Sequence, residues 1–142
     1  MISEQRAPDE TVQLGKRQTR QREVVFDVIR ASSGPLTVPE IHAQAKKKIK
    51  GMGIATIYRT IKLLLEKQLI QPVTLPSGDT RYESAALGHH HHFQCNTCGK
   101  VIDIDHCPIT IPTGSKLPGG YMLLDHEITL FGLCPKCQPT DT

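Results

Sequence analysis

The sequence has no tryptophan, and aromatic residues make up only 4% of its 142 positions. Its hydrophobic core must therefore be aliphatic and modest, and such a core usually needs a metal ion, a disulfide or a partner subunit as additional support. No run of about 18 apolar residues could span a membrane, and the first residues lack the apolar segment of a signal peptide. We therefore expect a soluble, cytoplasmic protein without a membrane partner, whose five cysteines stay reduced.

Basic and metal-liganding residues are unevenly distributed along the chain. Fourteen of the 17 lysines and arginines precede Ser84, whereas all five cysteines and six of the seven histidines follow Gly88. A concentration of basic residues is typical of nucleic-acid binding, and cysteine together with histidine is typical of metal binding. The distribution indicates that one half of the chain reads nucleic acid and the other half binds metal.

The first half has the periodicity of three helices followed by a hairpin. A helix is predicted from Thr19, whose side chain could cap it, and a second from Thr37, which has Glu40 at capping-box spacing. The third covers 54–70 and carries an apolar stripe on one side. The period then falls to two, and a hairpin is predicted to turn at 76–79. These are the elements of a winged helix-turn-helix.

The second half has the pattern of short strands. They are predicted in "HHHFQC", "KVIDID" and "YMLLDHEITLFGLC", with a loop in the Pro- and Gly-rich stretch "HCPITIPTGSKLPGG". Together with the helices of the first half, this pattern predicts an α+β fold class.

Two Cys-x-x-Cys pairs could place four thiolates around one ion. Their residues are Cys95, Cys98, Cys134 and Cys137. Four thiolates make a closed tetrahedral set, which is typical of structural Zn²⁺ rather than of a catalytic metal with an open position. Buried thiols or a redox pair are the alternative. Cys107 is either a small buried hydrophobic residue or a metal ligand beside Asp105 and His106.

Four consecutive histidines directly precede the first cysteine pair. On a strand, alternate side chains point to opposite faces, so His89 and His91 face one way and His90 and His92 the other. Each pair could share one cation, and imidazole suits zinc, iron and nickel. The residues that could complete the two sets are Glu83, Asp103, Asp105 and His126. The alternative is a solvated histidine-rich strand that binds metal only adventitiously.

Three stretches resemble the ferric uptake regulator family of bacterial metal-dependent repressors: "GIATIYRTIKLL", "HHHHFQCNTCGKVID" and "HEITLFGLCPKC". The resemblance covers about residues 14–137. It implies a winged-helix DNA-binding domain over 1–84 and a small α/β dimerisation domain with a four-cysteine zinc site over 85–142. It also implies homodimers that bind double-stranded operator DNA when a regulatory metal is loaded.

The resemblance implies a regulatory metal site at the hinge between the two domains. Its ligands here would be Glu83, His90, His92 and Asp103. Iron and peroxide sensors of the family have a ligand histidine where this chain has Leu36, and some zinc sensors have an aspartate at the position of Gln71. We therefore expect Zn²⁺ as the regulatory ion in preference to Fe²⁺, with Mn²⁺ as a further option.

The resemblance implies a second site within the dimerisation domain, formed by His89, His91 and His126. The family helix that normally supplies its acidic ligand is replaced here by the Pro- and Gly-rich stretch. We expect Asp105 to substitute, with His106 and Cys107 as the alternatives.

The predicted function is that of a homodimeric, metal-responsive repressor that controls metal-homeostasis genes. Metal at the hinge would fix the angle between two contact helices, which must meet major grooves about one helical turn apart. The residues predicted to contact DNA are Thr56, Tyr58, Arg59, Lys62 and Arg22. For Arg59 the alternative is an exposed helix charge, and the run "KKKIK" could equally be a solvated face.

Three other functions stay open at this point. The chain could be an iron- or peroxide-sensing member of the same family, or a DNA-binding protein with structural zinc and no sensing. It could also be a metal-dependent hydrolase built on the histidines, which would need an open coordination position and a general base. No nucleophile motif accompanies the histidines, so we expect that the protein is not an enzyme.

Overall fold

The structure, a computed structural model, describes residues 19–140 and contains two compact units. The first ends at Leu87 and the second begins at Gly88, three residues beyond the boundary expected from the sequence. Ala85 stays with the first unit because its amide donates a hydrogen bond to the Leu69 carbonyl, 3.0 Å away. Among the described residues, no helix is both long and apolar enough to cross a membrane.

Three helices form most of the first unit: α1 (Thr19–Ala31), α2 (Val38–Lys48) and α3 (Ile54–Glu66). The predicted capping box begins α2: the Thr37 hydroxyl accepts a hydrogen bond from the Glu40 amide at 3.3 Å, and the Glu40 carboxylate accepts one from the Thr37 amide at 2.8 Å. These bonds satisfy amides that have no partner inside the helix. A capping role for the Thr19 side chain lies outside the described residues.

The third helix is shorter than the predicted 54–70. Gln68 has a positive φ of 60°, and the Leu69 amide donates to the Leu64 carbonyl at 2.9 Å, which closes the helix after Glu66. Ile70 then begins a strand. The sequence prediction was wrong here because one continuous apolar run serves both the end of the helix and the start of the strand.

The predicted hairpin is confirmed. Its strands β1 (Ile70–Thr74) and β2 (Thr80–Ser84) pair antiparallel, with Gln71 opposite Glu83. Gly78, with a φ of 96°, supplies the left-handed backbone that the turn requires. A bridge between Leu36 and Tyr82 attaches the α1–α2 connection to the hairpin. Three helices with this two-stranded wing form a winged helix-turn-helix.

The core of the first unit is almost entirely aliphatic, as the composition requires. Ile41, Ile57 and Leu64 are fully buried in it, one from α2 and two from α3. Arg81 is a polar exception: its buried guanidinium lies 3.1 Å from the Glu40 carboxylate and ties the wing to α2. Glu40 therefore both caps α2 and neutralises a buried cation.

Three short strands form the second unit: β3 (His91–Cys95), β4 (Val101–Ile104) and β5 (Thr129–Gly132). β3 lies in the middle, antiparallel to β4 and parallel to β5. The predicted strand over 121–134 is therefore much reduced. Its first part pairs instead with the preceding stretch that was predicted as a loop, since the Leu123 amide donates to the Ser115 carbonyl and Met122 bridges to Lys116.

Candidate metal centres

Four cysteines converge at one end of the second unit. Their Sγ atoms all lie within 4.8 Å of one another, and the four residues are Cys95, Cys98, Cys134 and Cys137. The first knuckle bends because Gly99 has a φ of 76° and donates to the Cys95 carbonyl at 3.0 Å. The second bends because the Cys137 amide donates to the Cys134 carbonyl at 2.9 Å. The sequence thus gives the local turns, and the parallel pairing of β3 with β5 brings the two turns together.

The protonation chemistry of this cluster suits a cation. Hydrogen bonds from the backbone amides of Cys98 and Cys134 lower the pKa of Cys95 to about 6. Hydrogen bonding to the Cys134 side chain raises the pKa of Cys137 to about 12. Four thiolates at this spacing would repel one another, so without an ion some of the four sulfurs must stay protonated. A divalent cation replaces those protons, and four thiolates fit a structural zinc.

The histidine run divides as the strand parity predicts. On one face, ligand atoms of His89, His91 and His126 lie within 4.8 Å of one another. His91 is almost completely buried, at 1% exposure, and the burial, followed by the charges of neighbouring histidines, lowers its pKa. A neutral imidazole at this position is in the protonation state that binds metal ions.

Cys107, and not Asp105, stands with these three histidines. Its Sγ belongs to the same group of ligand atoms and lies 3.2 Å from His126 Nε2. The structure does not bring the expected Asp105 into this group, for a physical reason. β4 ends at Ile104, which pairs with His91, so Asp105 follows the parity of Asp103 and is exposed. His106 is also exposed and outside the group.

The other face of β3 carries His90, His92 and Asp103. The Asp103 Oδ1 atom lies 3.8 Å from His90 Nε2 and 3.5 Å from His92 Nε2. The register explains the grouping, because Asp103 is directly opposite His92 on the antiparallel strand. His90 Nδ1 lies 2.7 Å from the Gly88 carbonyl and donates to it in the neutral ring, which directs the lone pair of Nε2 to this group.

The two wing residues of interest, Glu83 and Gln71, lie opposite each other on β2 and β1. Glu83 is buried, and its Oε2 accepts a hydrogen bond of 2.6 Å from the Gln71 side-chain amide. Gln71 therefore holds the carboxylate in position. Leu36, at the position of the iron-type histidine, is buried in the apolar core.

The third helix presents a polar face. Tyr58 and Arg59 are exposed in its first half and Lys62 one turn later, while Thr56 is half-buried and accepts a 3.3 Å hydrogen bond from Arg59. This face is opposite the buried Ile57, Ile61 and Leu64. Arg22, on α1, is half-buried. The three lysines that end α2 are exposed, and His42 Nε2 lies 2.8 Å from the Met52 carbonyl oxygen.

The family model and the related sequences all point to one family of metal-uptake regulators. The model of the ferric uptake regulator family matches residues 13–131. The ferric uptake regulation protein of Campylobacter upsaliensis is 32% identical over 128 residues, which cover 87% of this chain and 81% of the relative. The zinc uptake regulation protein of Mycobacterium tuberculosis is 26% identical over 125 residues, which cover 87% of this chain and 96% of the relative.

Solved structures agree with the sequence relatives. The ferric uptake regulator of Helicobacter pylori, described as having three functional metal-binding sites, superposes with a TM-score of 0.63 at 25% identity, over 99% of this chain and 93% of its own. A zinc-bound manganese uptake regulator superposes with a TM-score of 0.69 at 26% identity, over 89% and 98%. The chain therefore belongs to the ferric uptake regulator family, whose members are dimeric, metal-responsive DNA-binding transcription regulators and not enzymes.

Proposed function

We propose that this chain is a homodimeric repressor that binds operator DNA of metal-homeostasis genes in the cytoplasm when a regulatory cation is bound, with zinc as the preferred ion. One observation carries the proposal: four consecutive histidines are divided between two separate groups of ligand atoms. A solvated strand that bound metal adventitiously would not need to bury His91 or to set Asp103 opposite His92.

The proposed regulatory ligands are His90, His92 and Asp103, with Glu83 of the wing as the fourth. Glu83 is buried, and a buried carboxylate is stabilised by a positive charge. A divalent cation, when bound, would supply that charge and connect the wing to the second unit. The bound cation would restrict the angle between the two α3 helices of the dimer. DNA affinity would then rise because the helices are already held at the spacing of two successive major grooves.

The preference for zinc rests on the donor set. Leu36 contributes a buried apolar side chain where an iron sensor has an imidazole. Two imidazoles with two carboxylates are a set that tetrahedral Zn²⁺ accepts, whereas Mn²⁺ and Fe²⁺ favour more ligands. Fe²⁺ and Mn²⁺ are the alternatives that the metal titration below separates from zinc.

The homodimer is proposed to form through the second unit. β5 is an edge strand of its sheet, and its Leu130 and Phe131 are exposed. Tyr121 and Leu124, each 71% exposed, add large apolar side chains to the same unit. An exposed apolar edge strand is unfavourable in water and is usually covered by another chain. A two-fold pair would also present two α3 helices to DNA, for which the predicted contacts are Tyr58, Arg59, Lys62, Thr56 and Arg22.

The test uses DNA selected from a random-sequence library by the zinc-loaded protein. Affinity for the selected DNA is then measured during titrations with Zn²⁺, Fe²⁺ and Mn²⁺. We expect zinc to raise the affinity by roughly 5–150-fold, the usual range of coupling between two sites. The double variant His90→Ala/His92→Ala should lose this response and keep the four-cysteine zinc.

The matched control is His89→Ala/His91→Ala on the opposite face of the same strand, which should weaken the response without abolishing it. Equal responses of the two double variants would contradict the assignment of the regulatory site. DNA binding that is tight and independent of every metal would instead indicate a regulator with structural zinc only.

A further inference from the structure

A thiol completes the cluster formed by His89, His91 and His126. Cys107 Sγ lies 3.2 Å from His126 Nε2, and ligand atoms of His89 and His91 are within 4.8 Å of both. The thiol also donates a hydrogen bond to the Ile109 carbonyl. Around a tetrahedral zinc ion with bonds of about 2.0–2.3 Å, a nitrogen ligand atom and a sulfur ligand atom are about 3.3–3.6 Å apart. The distance of 3.2 Å between Cys107 Sγ and His126 Nε2 is close to this value.

An unsatisfied buried atom provides a second, independent observation. The Nδ1 atom of His91 accepts a 3.2 Å hydrogen bond from the Ile128 amide, which fixes the ring. The other ring nitrogen, Nε2, is buried and has no hydrogen-bond partner among the residues that the structure describes. Buried polar atoms are nearly always satisfied, so this nitrogen lacks a partner that the site should supply. With Nδ1 accepting from the Ile128 amide, the proton of the neutral ring is on Nε2. A cation becomes the partner of Nε2 when the ring moves its proton to Nδ1, which exchanges that hydrogen bond for a metal–nitrogen bond.

The cluster is accessible. A cavity of about 440 Å³ adjoins it, lined by His89, Cys107 and His126 together with side chains of 109–113 and 123–125. A hydrated cation can therefore enter from this side, and the thiol proton of Cys107 can leave to water when a metal–sulfur bond forms.

We propose that Cys107 is the thiolate ligand of a His₃Cys site and that it sets the metal preference of this site. This inference rests on the proposed function only in assuming that the second unit binds a cation on this face. A soft thiolate favours Zn²⁺ or Co²⁺, and four protein donors close the tetrahedral shell. Mn²⁺ and Fe²⁺, which prefer oxygen donors and more ligands, bind weakly. The site therefore stays with zinc even when the other metals are in excess.

The experiment begins with protein that retains one zinc per chain after dialysis against a weak chelator. Co²⁺ is added without oxygen while the retained zinc is measured. The native protein should develop a thiolate-to-Co²⁺ charge-transfer band at the first equivalent, and cobalt-edge X-ray absorption should show one sulfur at about 2.3 Å. Cys107→Ser should lose the band and bind Zn²⁺ at this site at least about tenfold more weakly, since even indirect partners of a ligand matter by 10–100-fold.

Two controls accompany this variant. Asp105→Ser removes the neighbouring carboxylate, and His90→Ala/His92→Ala removes the ligands of the opposite face; both should keep the band. Cys107→Asp should restore binding without the band and should increase the affinity for Mn²⁺ relative to Zn²⁺.

The proposal is overturned if Cys107→Ser keeps the band while one zinc per chain is retained, or if the native protein shows no cobalt–sulfur distance. The X-ray measurement uses only native protein, so it decides the question even if the variants fold poorly. DNA is absent from every readout. A failure of zinc-dependent DNA binding would therefore leave this result intact, and the reverse also holds.

Discussion

The two units of this protein are stabilised by different physics. The first has a cluster of 14 buried residues between Val24 and Ile70. In the second, the buried hydrophobic residues that the structure describes are Cys95 and Val101, and Cys95 is itself a metal-ligand candidate. Burial of apolar area is the main favourable contribution to folding, and the second unit has very little of it. The comparison teaches that the second unit needs a source of stability other than an apolar core, and the four-cysteine site, when it holds zinc, can provide it.

Removal of the four-cysteine zinc should give the largest effect. Cys98→Ser should unfold the second unit and give monomeric or aggregated protein, because the binding free energy of such a site, about 10 kcal/mol or more, is folding free energy. The first unit should keep its helices, which far-ultraviolet circular dichroism and NMR can follow alongside zinc content. Cys107→Ser is the matched cysteine control and should keep the fold. A Cys98→Ser protein that remained a zinc-loaded dimer would contradict this assignment.

Core truncation in α3 should destabilise the first unit and leave the second unit unaffected. Leu64 is fully buried, so Leu64→Ala should lower the free energy of unfolding of the first unit by about 2–5 kcal/mol. Its neighbour Leu65 is only partly buried, and Leu65→Ala should cost clearly less. Denaturant unfolding with and without chelator measures both. If the chelator destabilises the first unit as much as Leu64→Ala does, the separation of the two stabilising mechanisms is wrong.

A change on the exposed face of α3 should give the smallest effect and leave both kinds of stability unchanged. Arg59→Ala should cost about 1–3 kcal/mol of DNA affinity through loss of a base contact. Zinc content, dimerisation and thermal unfolding should match those of the native protein. Lys48→Ala, an exposed cation at the end of α2, is the control. If Lys48→Ala abolishes DNA binding and Arg59→Ala has no effect, the contact helix is α2.

Much of the first unit could be predicted from the sequence because its signals are local and periodic. The apolar stripe of α3, the Thr37–Glu40 capping box and the hairpin turn each depend on neighbouring residues. The end of α3 could not be predicted, since the apolar pattern continues to Ile70 and the positive φ of Gln68 has no sequence signature.

The second unit was predictable only where a chemical motif or strand parity applied. The two cysteine pairs and the division of the histidines depend on fixed short spacings. The choice between Asp105 and Cys107 depends on how some 20 irregular residues return to His126, which no periodicity encodes. The parity of β4 could have excluded Asp105, had the register of Asp103 opposite His92 been known.

The position of β3 has a consequence for folding accuracy. A slip of one residue in a strand exchanges its two faces, and hydrophobic patterning normally prevents it. Four consecutive histidines cannot prevent it, because after a slip each face would still present two imidazoles. Cys95 can: a slip would put Gln94 or Asn96 at the first knuckle, where neither side chain offers a thiolate. The four-cysteine site can therefore form only when β3 has the correct register. In that register, each histidine also lies on the face where its ligand group is found.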